Sequence, residues 1–281
     1  NRKAMEMSGL GDLPAVSIFN PLTQDQEIMC PSVLPGLLSV VLTNVNRGQK
    51  DLRLFETGRV YSAKGETEVL AAVITGRRED DWRLGKKEAA DFYDLKGPIV
   101  QTLVSLGLAP EQIRFEAAQE DFLADGESAA VLVDGKRIGV AGKIAADVIE
   151  QWNIKQDNCL FAQIDMSGIY ARRDPARKYE PVPEFPSISR DISLAVPSGV
   201  TARDIEDAIH KTAAKQKDVV LADLKFIEKY EGEKIAEGNR GLVFSLTYRA
   251  SEARTLRDEE VSEAHEQVCH VLIKDLGLTR R

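Results

Sequence analysis

FPSISRDISLAV (residues 185–196) alternates apolar and polar side chains from Ile188 onward, and that alternation decides how the last hundred residues fold. Ile192, Leu194 and Val196 fall on one side of an extended chain, with Ser193 and Ala195 on the other, which is the period-two pattern of a half-buried strand. Toward the C-terminus, Thr201-Ala202-Arg203-Asp204 opens a helix. Thr201 is an N-cap, Asp204 stands near the third helical position, and Ile205, Ala208 and Ile209 follow at helical spacing. Val219 to Tyr230 is predicted as a second strand, and Gly232 and Gly238-Asn239 mark a turn region. Leu242, Phe244, Leu246 and Tyr248 alternate with Val243, Ser245, Thr247 and Arg249 in a third strand. Thr255-Leu256-Arg257-Asp258 caps a last helix with the stripe Val261, Ala264, Val268 and Leu272. Leu276 to Arg280 leaves room for a short fourth strand. This order predicts an open antiparallel sheet with two helices on one face and nothing on the other.

The bare face should carry Ser189, Asp191, Ser193, Ser245, Thr247 and Arg249, small or polar residues that let bases lie flat and hydrogen-bond their edges. Tyr230 and Phe226 are candidates to stack on a base. The plainer alternative is a solvated sheet face with both aromatics in the core. Arg190 is out of phase with the polar strip, so it either reaches phosphates from the sheet edge or pairs structurally with neighbouring groups.

Composition bounds these readings. The 281 residues allow one large domain or two ordinary ones, and 43% hydrophobic with 29% charged residues is globular. No run of about 18 apolar residues exists, so no membrane-spanning helix is expected. The sequence begins at Asn1 without a signal-peptide shape and is expected to be a segment of a longer protein. Cys30, Cys159 and Cys269 are odd in number and widely spaced, which fits a reducing cytoplasm. Net charge is -8; residues 186–281 hold 15 Lys+Arg and 17 Asp+Glu, and the remainder hold 22 and 28. Neither half is a basic nucleic-acid-binding body, so any RNA contact must rest on a local patch.

Upstream, four prolines between Arg172 and Pro186 make a stiff linker, with a domain boundary near residue 182. Before it, a strand is expected over Val16 to Phe19. A helix starting at Ser32 or a neighbour carries Val33, Leu34, Leu37, Leu38, Val41, Leu42 and Val45 on one apolar face. Strands are expected at Leu52 to Ser62 and Val69 to Gly76, and a helix from Pro98 to Leu106 ends at Gly107. Ala129 to Val133, Asp134-Gly135 and Arg137 to Lys143 read as a hairpin. A short helix (Ala145 to Gln151) and a strand (Cys159 to Asp165) complete an α+β domain on a mostly antiparallel sheet.

Other motifs favour their plainer readings. Gly135 to Gly142 has glycines like a phosphate loop but lacks the terminal Gly-Lys-Ser/Thr and lies between strands, so it reads as a hairpin. His265 and Cys269 are one helical turn apart, as metal ligands can be, but no second pair accompanies them. Glu79, Asp80 and Asp81 beside Arg77-Arg78 and Trp82 read as a charged loop rather than an acid–base pair.

FPSISRDISLAV, KYEGEKIAEGNRGLVFSLTYRA (229–250) and RTLRDEEV (254–261) resemble the ferredoxin-fold anticodon-binding domain that ends the beta subunit of bacterial phenylalanyl-tRNA synthetases. NPLTQDQEIMCPSVLPGLLSVVLTNVNRG (20–48), LRLFETGRVY (52–61) and DFYDLKG (91–97) resemble the catalytic-like module that precedes it. The resemblance covers nearly the whole chain, with its motifs in family order. It implies an α+β chain in two parts. Residues 1–182 are a truncated, non-catalytic class II synthetase-like antiparallel sheet module, and residues 183–281 are a ferredoxin-like βαββαβ domain.

By the same resemblance the whole enzyme is a cytoplasmic heterotetramer that ligates phenylalanine to its tRNA with ATP and Mg²⁺. The partners are the alpha subunit, which holds the active site, and tRNA(Phe); no cofactor is held by this segment, and neither DNA nor membrane is a partner. The expected tRNA contacts are Arg190, Asp191, Ser193, Tyr230, Ser245, Thr247 and Arg249. Catalytic class II cores carry, just after the strand that LRLFETGRVY resembles, an Arg that grips the ATP α-phosphate. Here Ser62 follows Tyr61, and a hydroxyl cannot replace a guanidinium fork. DFYDLKG is expected to start the helix at Pro98 and to pack its two aromatics. Lacking its partner, the first module should expose apolar side chains on the helix Val33 to Val45 and the strand Leu52 to Tyr61. One rival is a ferredoxin-like RNA-binding or regulatory module unrelated to aminoacylation, against which the upstream motifs speak. The other is a self-sufficient class II enzyme, against which Ser62 speaks.

Overall fold

The computed structural model describes residues 1–78, 88–170, 184–230 and 238–281. It divides the chain into two compact units, Asn1–Lys178 and Tyr179–Arg281. The expected boundary near residue 182 and most of the proline-rich linker fall within 171–183, outside the described residues. Glu79, Asp80, Asp81, Trp82 and Gly232 lie outside them as well.

In the first unit the chain runs α1 (Arg2–Met7), α2 (Leu34–Asn46), β1 (Leu52–Ser62), β2 (Gly65–Thr75), α3 (Phe92–Ser105), β3 (Ile113–Ala117), β4 (Leu123–Val133), β5 (Lys136–Ile144), α4 (Ala146–Gln151), β6 (Cys159–Asp165) and α5 (Ser167–Tyr170). The strands form one antiparallel sheet in the order β1-β2-β6-β5-β4-β3. Its central strands are apolar on both sides, which is why β2 and β6 read as continuous apolar runs. Val69, Ala71, Val73 and Phe161 pack with Leu34, Leu37, Leu38 and Val41 of α2. Ile74, Leu160, Ala162 and Ile164 pack on the other face with Leu95, Ile99 and Leu103 of α3. The Asp134-Gly135 turn has both φ angles positive (50° and 73°), the geometry of a two-residue hairpin joining β4 to β5. The glycine-rich run from Gly135 therefore leaves the turn as a strand.

Three expectations for this unit change. Val16 to Phe19 is no strand: it makes only the isolated bridge Ser17–Ile28, and Phe19 is fully exposed. The third helix starts at Phe92, not Pro98. Asp91 and Asp94 form a reciprocal cap, with Asp91 accepting from the Tyr93 and Asp94 amides and Asp94 accepting from the Asp91 amide at 2.7 Å. Pro98 sits inside the helix and forgoes one backbone hydrogen bond. Of the aromatics in this motif, Phe92 packs edge-on against Phe115 while Tyr93 is exposed. Finally, the main apolar stripe of α2 is covered within the unit, where it fits onto the sheet, and Val40 is the apolar side chain of this helix that stays exposed (44%). The most exposed apolar side chains among the described residues of this unit are Phe19 (102%), Leu22 (92%) and, on β1 as expected, Phe55 (77%).

In the second unit the order is β7 (Ile188–Pro197), α6 (Ala202–Ala213), β8 (Val219–Tyr230), β9 (Asn239–Ala250), α7 (Asp258–Leu276) and β10 (Thr279–Arg280). This is the expected βαββαβ unit, with the antiparallel sheet order β10-β7-β9-β8. Thr201 and Asp204 cap α6 reciprocally. Glu260 accepts from the Arg257 amide at the start of α7, and Gly277, at φ 65°, ends it. Ile192, Leu194, Leu242, Phe244, Leu246 and Tyr248 meet Ile205, Ile209, Val261, Val268 and Leu272 in one core. His265 and Cys269 also sit in this core. The Tyr248 Oη lies 3.2 Å from His265 Nδ1, and burial pushes the imidazole pKa down and the Cys269 thiol up.

Candidate nucleic-acid interface

Strand pairing fixes which residues share the face opposite the helices. On β7 and β9, Ser189 opposes Thr247, Asp191 opposes Ser245, Ser193 opposes Val243 and Ala195 opposes Gly241. On β8, Val220, Asp223, Lys225, Glu228 and Tyr230 oppose Arg249, Thr247, Ser245, Val243 and Gly241. Directly opposed residues of antiparallel strands point to the same side, so these side chains form one surface. Their alternate neighbours Ile192, Leu194, Phe244, Leu246 and Tyr248 are buried beneath the helices. Burying those residues therefore forces the polar set outward.

Six of the seven expected contact residues are brought together: Asp191, Ser193, Tyr230, Ser245, Thr247 and Arg249. Ser189, expected with them, hydrogen-bonds Thr247 through hydroxyls 2.9 Å apart. Arg190 is not among them. It opposes Leu246 on the helix side and pairs with Asp258 in the first turn of α7. Phe226 also turns away, since it opposes the buried Phe244 and packs edge-on against it at 5.4 Å between ring centres.

Tyr230 is held most tightly. Its hydroxyl lies 2.8 Å from that of Ser193, two strands away, so the ring spans β9. Beneath it is Gly241, where a built Cβ would come within 2.3 Å of the ring. The Ser193 hydrogen bond holds the Tyr230 phenol below its ordinary pKa, and the Arg281 guanidinium adds to this. Three features of this face escaped the sequence: Gly241, Arg281 and the Lys225–Asp223 ion pair at 3.1 Å. The Arg249 guanidinium has no hydrogen bond or ion pair among the described residues, so it remains available to an anion. The face thus offers a flat ring, several hydroxyls and a few scattered cations, a set suited to stacking bases and touching single phosphates rather than to bulk attraction of RNA.

The first unit shows no comparable arrangement among the described residues. Its β1–β2 connection is the two-residue turn Ala63-Lys64, with Ser62 paired to Gly65. The Ser62 hydroxyl accepts from the Lys64 amide at 3.2 Å and donates to the Gly65 carbonyl at 3.3 Å. Arg59 pairs with Glu66 at 3.0 Å, and Arg53 donates to main-chain carbonyls of Arg77 and Arg78. These residues do not fit an ATP–Mg²⁺ site, because the hairpin has neither a loop to cover a nucleotide nor an uncommitted guanidinium on β1.

Comparison with known proteins agrees with this division. Residues 2–166 match the family model of the phenylalanyl tRNA synthetase beta chain CLM domain, and residues 183–281 match that of the ferredoxin-fold anticodon binding domain. The phenylalanine–tRNA ligase beta subunit of Halalkalibacterium halodurans is 34% identical over 279 residues, covering 96% of this chain and 33% of that protein. That of Symbiobacterium thermophilum is 32% identical, covering 95% and 30%. That of Haemophilus influenzae is 35% identical, covering 88% and 31%. The chain spans about a third of the length of these curated relatives. Both halves match domains of one subunit, so a free-standing ferredoxin-like module is not favoured. The chain belongs to the phenylalanyl-tRNA synthetase beta chain family.

Proposed function

We propose that the chain is the C-terminal part of a phenylalanine–tRNA ligase beta subunit, in which residues 183–281 recognise the anticodon region of tRNA(Phe) and residues 1–182 form a non-catalytic scaffold for the alpha subunit. The observation that carries this reading is the face of the second sheet that no helix among the described residues covers, where Tyr230 lies flat among Asp191, Ser193, Ser245, Thr247 and Arg249. Unpaired bases stack on such a ring, hydroxyls and a carboxylate meet base edges, and Arg249 meets a phosphate. Arg190, paired with Asp258 on the other side, supports the fold instead. Exposed Phe19, Leu22 and Phe55 in the first unit suit a surface that a partner subunit covers. Ligation with ATP and Mg²⁺ is assigned to the alpha subunit, within a cytoplasmic heterotetramer.

Filter binding of the 281-residue chain to a tRNA(Phe) transcript, and to the same transcript with a foreign anticodon loop, tests the reading. Tighter binding to the native loop is expected. Equal affinity for both, or none at any concentration, would count against anticodon recognition.

A further inference from the structure

We propose that Gly241 and Ser193 are positioning residues that hold Tyr230 flat on the sheet as a fixed stacking plate for an unpaired nucleotide. The inference rests on the reading of the open sheet face as the RNA-binding surface, and adds how its central ring is kept ready.

Gly241 is the direct cross-strand partner of Tyr230. A Cβ at this position would meet Cζ of the ring at 2.3 Å and Cε1 and Cε2 at 2.5 Å, so the ring rests on the glycine itself. The φ angle of Gly241 is not in the left-handed region, so backbone freedom does not explain a glycine in mid-strand; the space it leaves does. Glycine in a strand interior weakens the strand and often marks a close approach of this kind. Ser193 secures the far end of the same ring. The Tyr230 backbone is anchored on β8, its hydroxyl meets Ser193 on β7 at 2.8 Å, and the ring bridges the strand between them.

Two consequences follow from this geometry. One ring face lies against the sheet, leaving the opposite face for a base. The side chain is also ordered before any RNA arrives, so binding does not bear the cost of immobilising it. The hydroxyl is engaged with Ser193 and does not read a base edge. Discrimination among bases then falls to neighbours on the same face, among them Asp191 and Ser245, a carboxylate and a hydroxyl directly opposed on β7 and β9.

The test is the affinity of the 281-residue chain for a tRNA(Phe) transcript at one fixed salt concentration. Tyr230→Ala should weaken binding by about 5- to 150-fold, the range for loss of one stacking aromatic. Gly241→Ala should approach that loss and add nothing further in a Tyr230→Ala background. Ser193→Ala and Tyr230→Phe should each cost a smaller, equal factor that does not multiply in the double variant, while Ser193→Thr retains binding. An ultraviolet pH titration, taken as the difference from Tyr230→Phe, should show the Tyr230 phenol rising in Ser193→Ala but not in Ser193→Thr, with both variants keeping the parent's urea midpoint, which separates the lost hydrogen bond from general loosening of the sheet. If Tyr230→Ala binds like the parent chain, the reading of the face itself fails. If Tyr230→Ala weakens binding but Ser193→Ala and a folded Gly241→Ala do not, the positioning inference is overturned and the face stands.

Discussion

Ser62 is paired with Gly65 across the tip of the β1–β2 hairpin, and its hydroxyl bonds within the turn. By the resemblance of residues 52–61 to the strand that precedes a loop and a phosphate-gripping Arg in catalytic class II cores, a closed two-residue turn stands here in place of that loop. The 281-residue chain alone should show no phenylalanine-dependent pyrophosphate exchange. Exchange above background from the pure chain would contradict this.

Asp91 supports the start of α3 and also accepts from Arg78 at 2.6 Å. Asp91→Ala should lower unfolding stability by about 0.5–2 kcal/mol, the usual loss for an N-cap carboxylate. Urea denaturation followed by circular dichroism measures it. An unchanged midpoint would show that Asp94 and Arg78 hold the helix without the cap.

Glu260 sets a pH dependence. The Arg254 guanidinium, followed by the Arg257 amide, holds its carboxyl at about 2, against an ordinary value of 4.5. Because the folded value is depressed, the unfolded chain takes up the proton first. The stabilisation is complete above pH 4.5 and is lost as pH falls toward about 2. The gap in urea midpoint between the parent chain and Glu260→Gln should be widest above pH 4.5 and close on acidification. A gap independent of pH would refute the assignment.

Arg249 and Arg190 should separate in salt titrations of tRNA binding. Arg249→Ala should weaken binding and reduce the slope of log affinity against log salt by about 0.7–0.9, the change for one lost phosphate contact. Arg190→Ala should leave the slope unchanged and cost at most about 1 kcal/mol of stability, as an exposed ion pair does. A slope change in Arg190→Ala would mean that its guanidinium leaves Asp258 to meet RNA.

Most of the second unit was legible because its strands are buried on one side only, and period-two alternation states the side directly. The same parity separated Arg190 from the polar strip correctly. It failed for Phe226 and Tyr230, which are four residues apart and were expected on one face. A register shift between Phe226 and Glu228 inverts the parity, placing Phe226 on the helix side and Tyr230 on the open side. A bulge of this kind carries no mark in the apolar pattern. The role of Gly241 was hidden for the same reason, since its partner is known only once the register is known. In the first unit, Pro98 obscured a helix whose Asp91–Asp94 cap was present in the sequence. The strand β3 and the helices α1 and α5 were too short to show a period. Val16 to Phe19 had the composition of a strand but makes a single bridge.

The most direct test of the central claim is hydroxyl-radical footprinting of the 281-residue chain with and without tRNA(Phe), read by mass spectrometry. Tyr230 and Val243 lie on the open sheet face, whereas Ile273 (44% exposed) lies on α7 and Phe226 (45% exposed) faces the helix side. The account predicts that saturating tRNA(Phe) protects Tyr230 and Val243 and leaves Ile273 and Phe226 as reactive as before. Protection of Ile273 with Tyr230 unchanged would place the RNA on the helices and contradict the account.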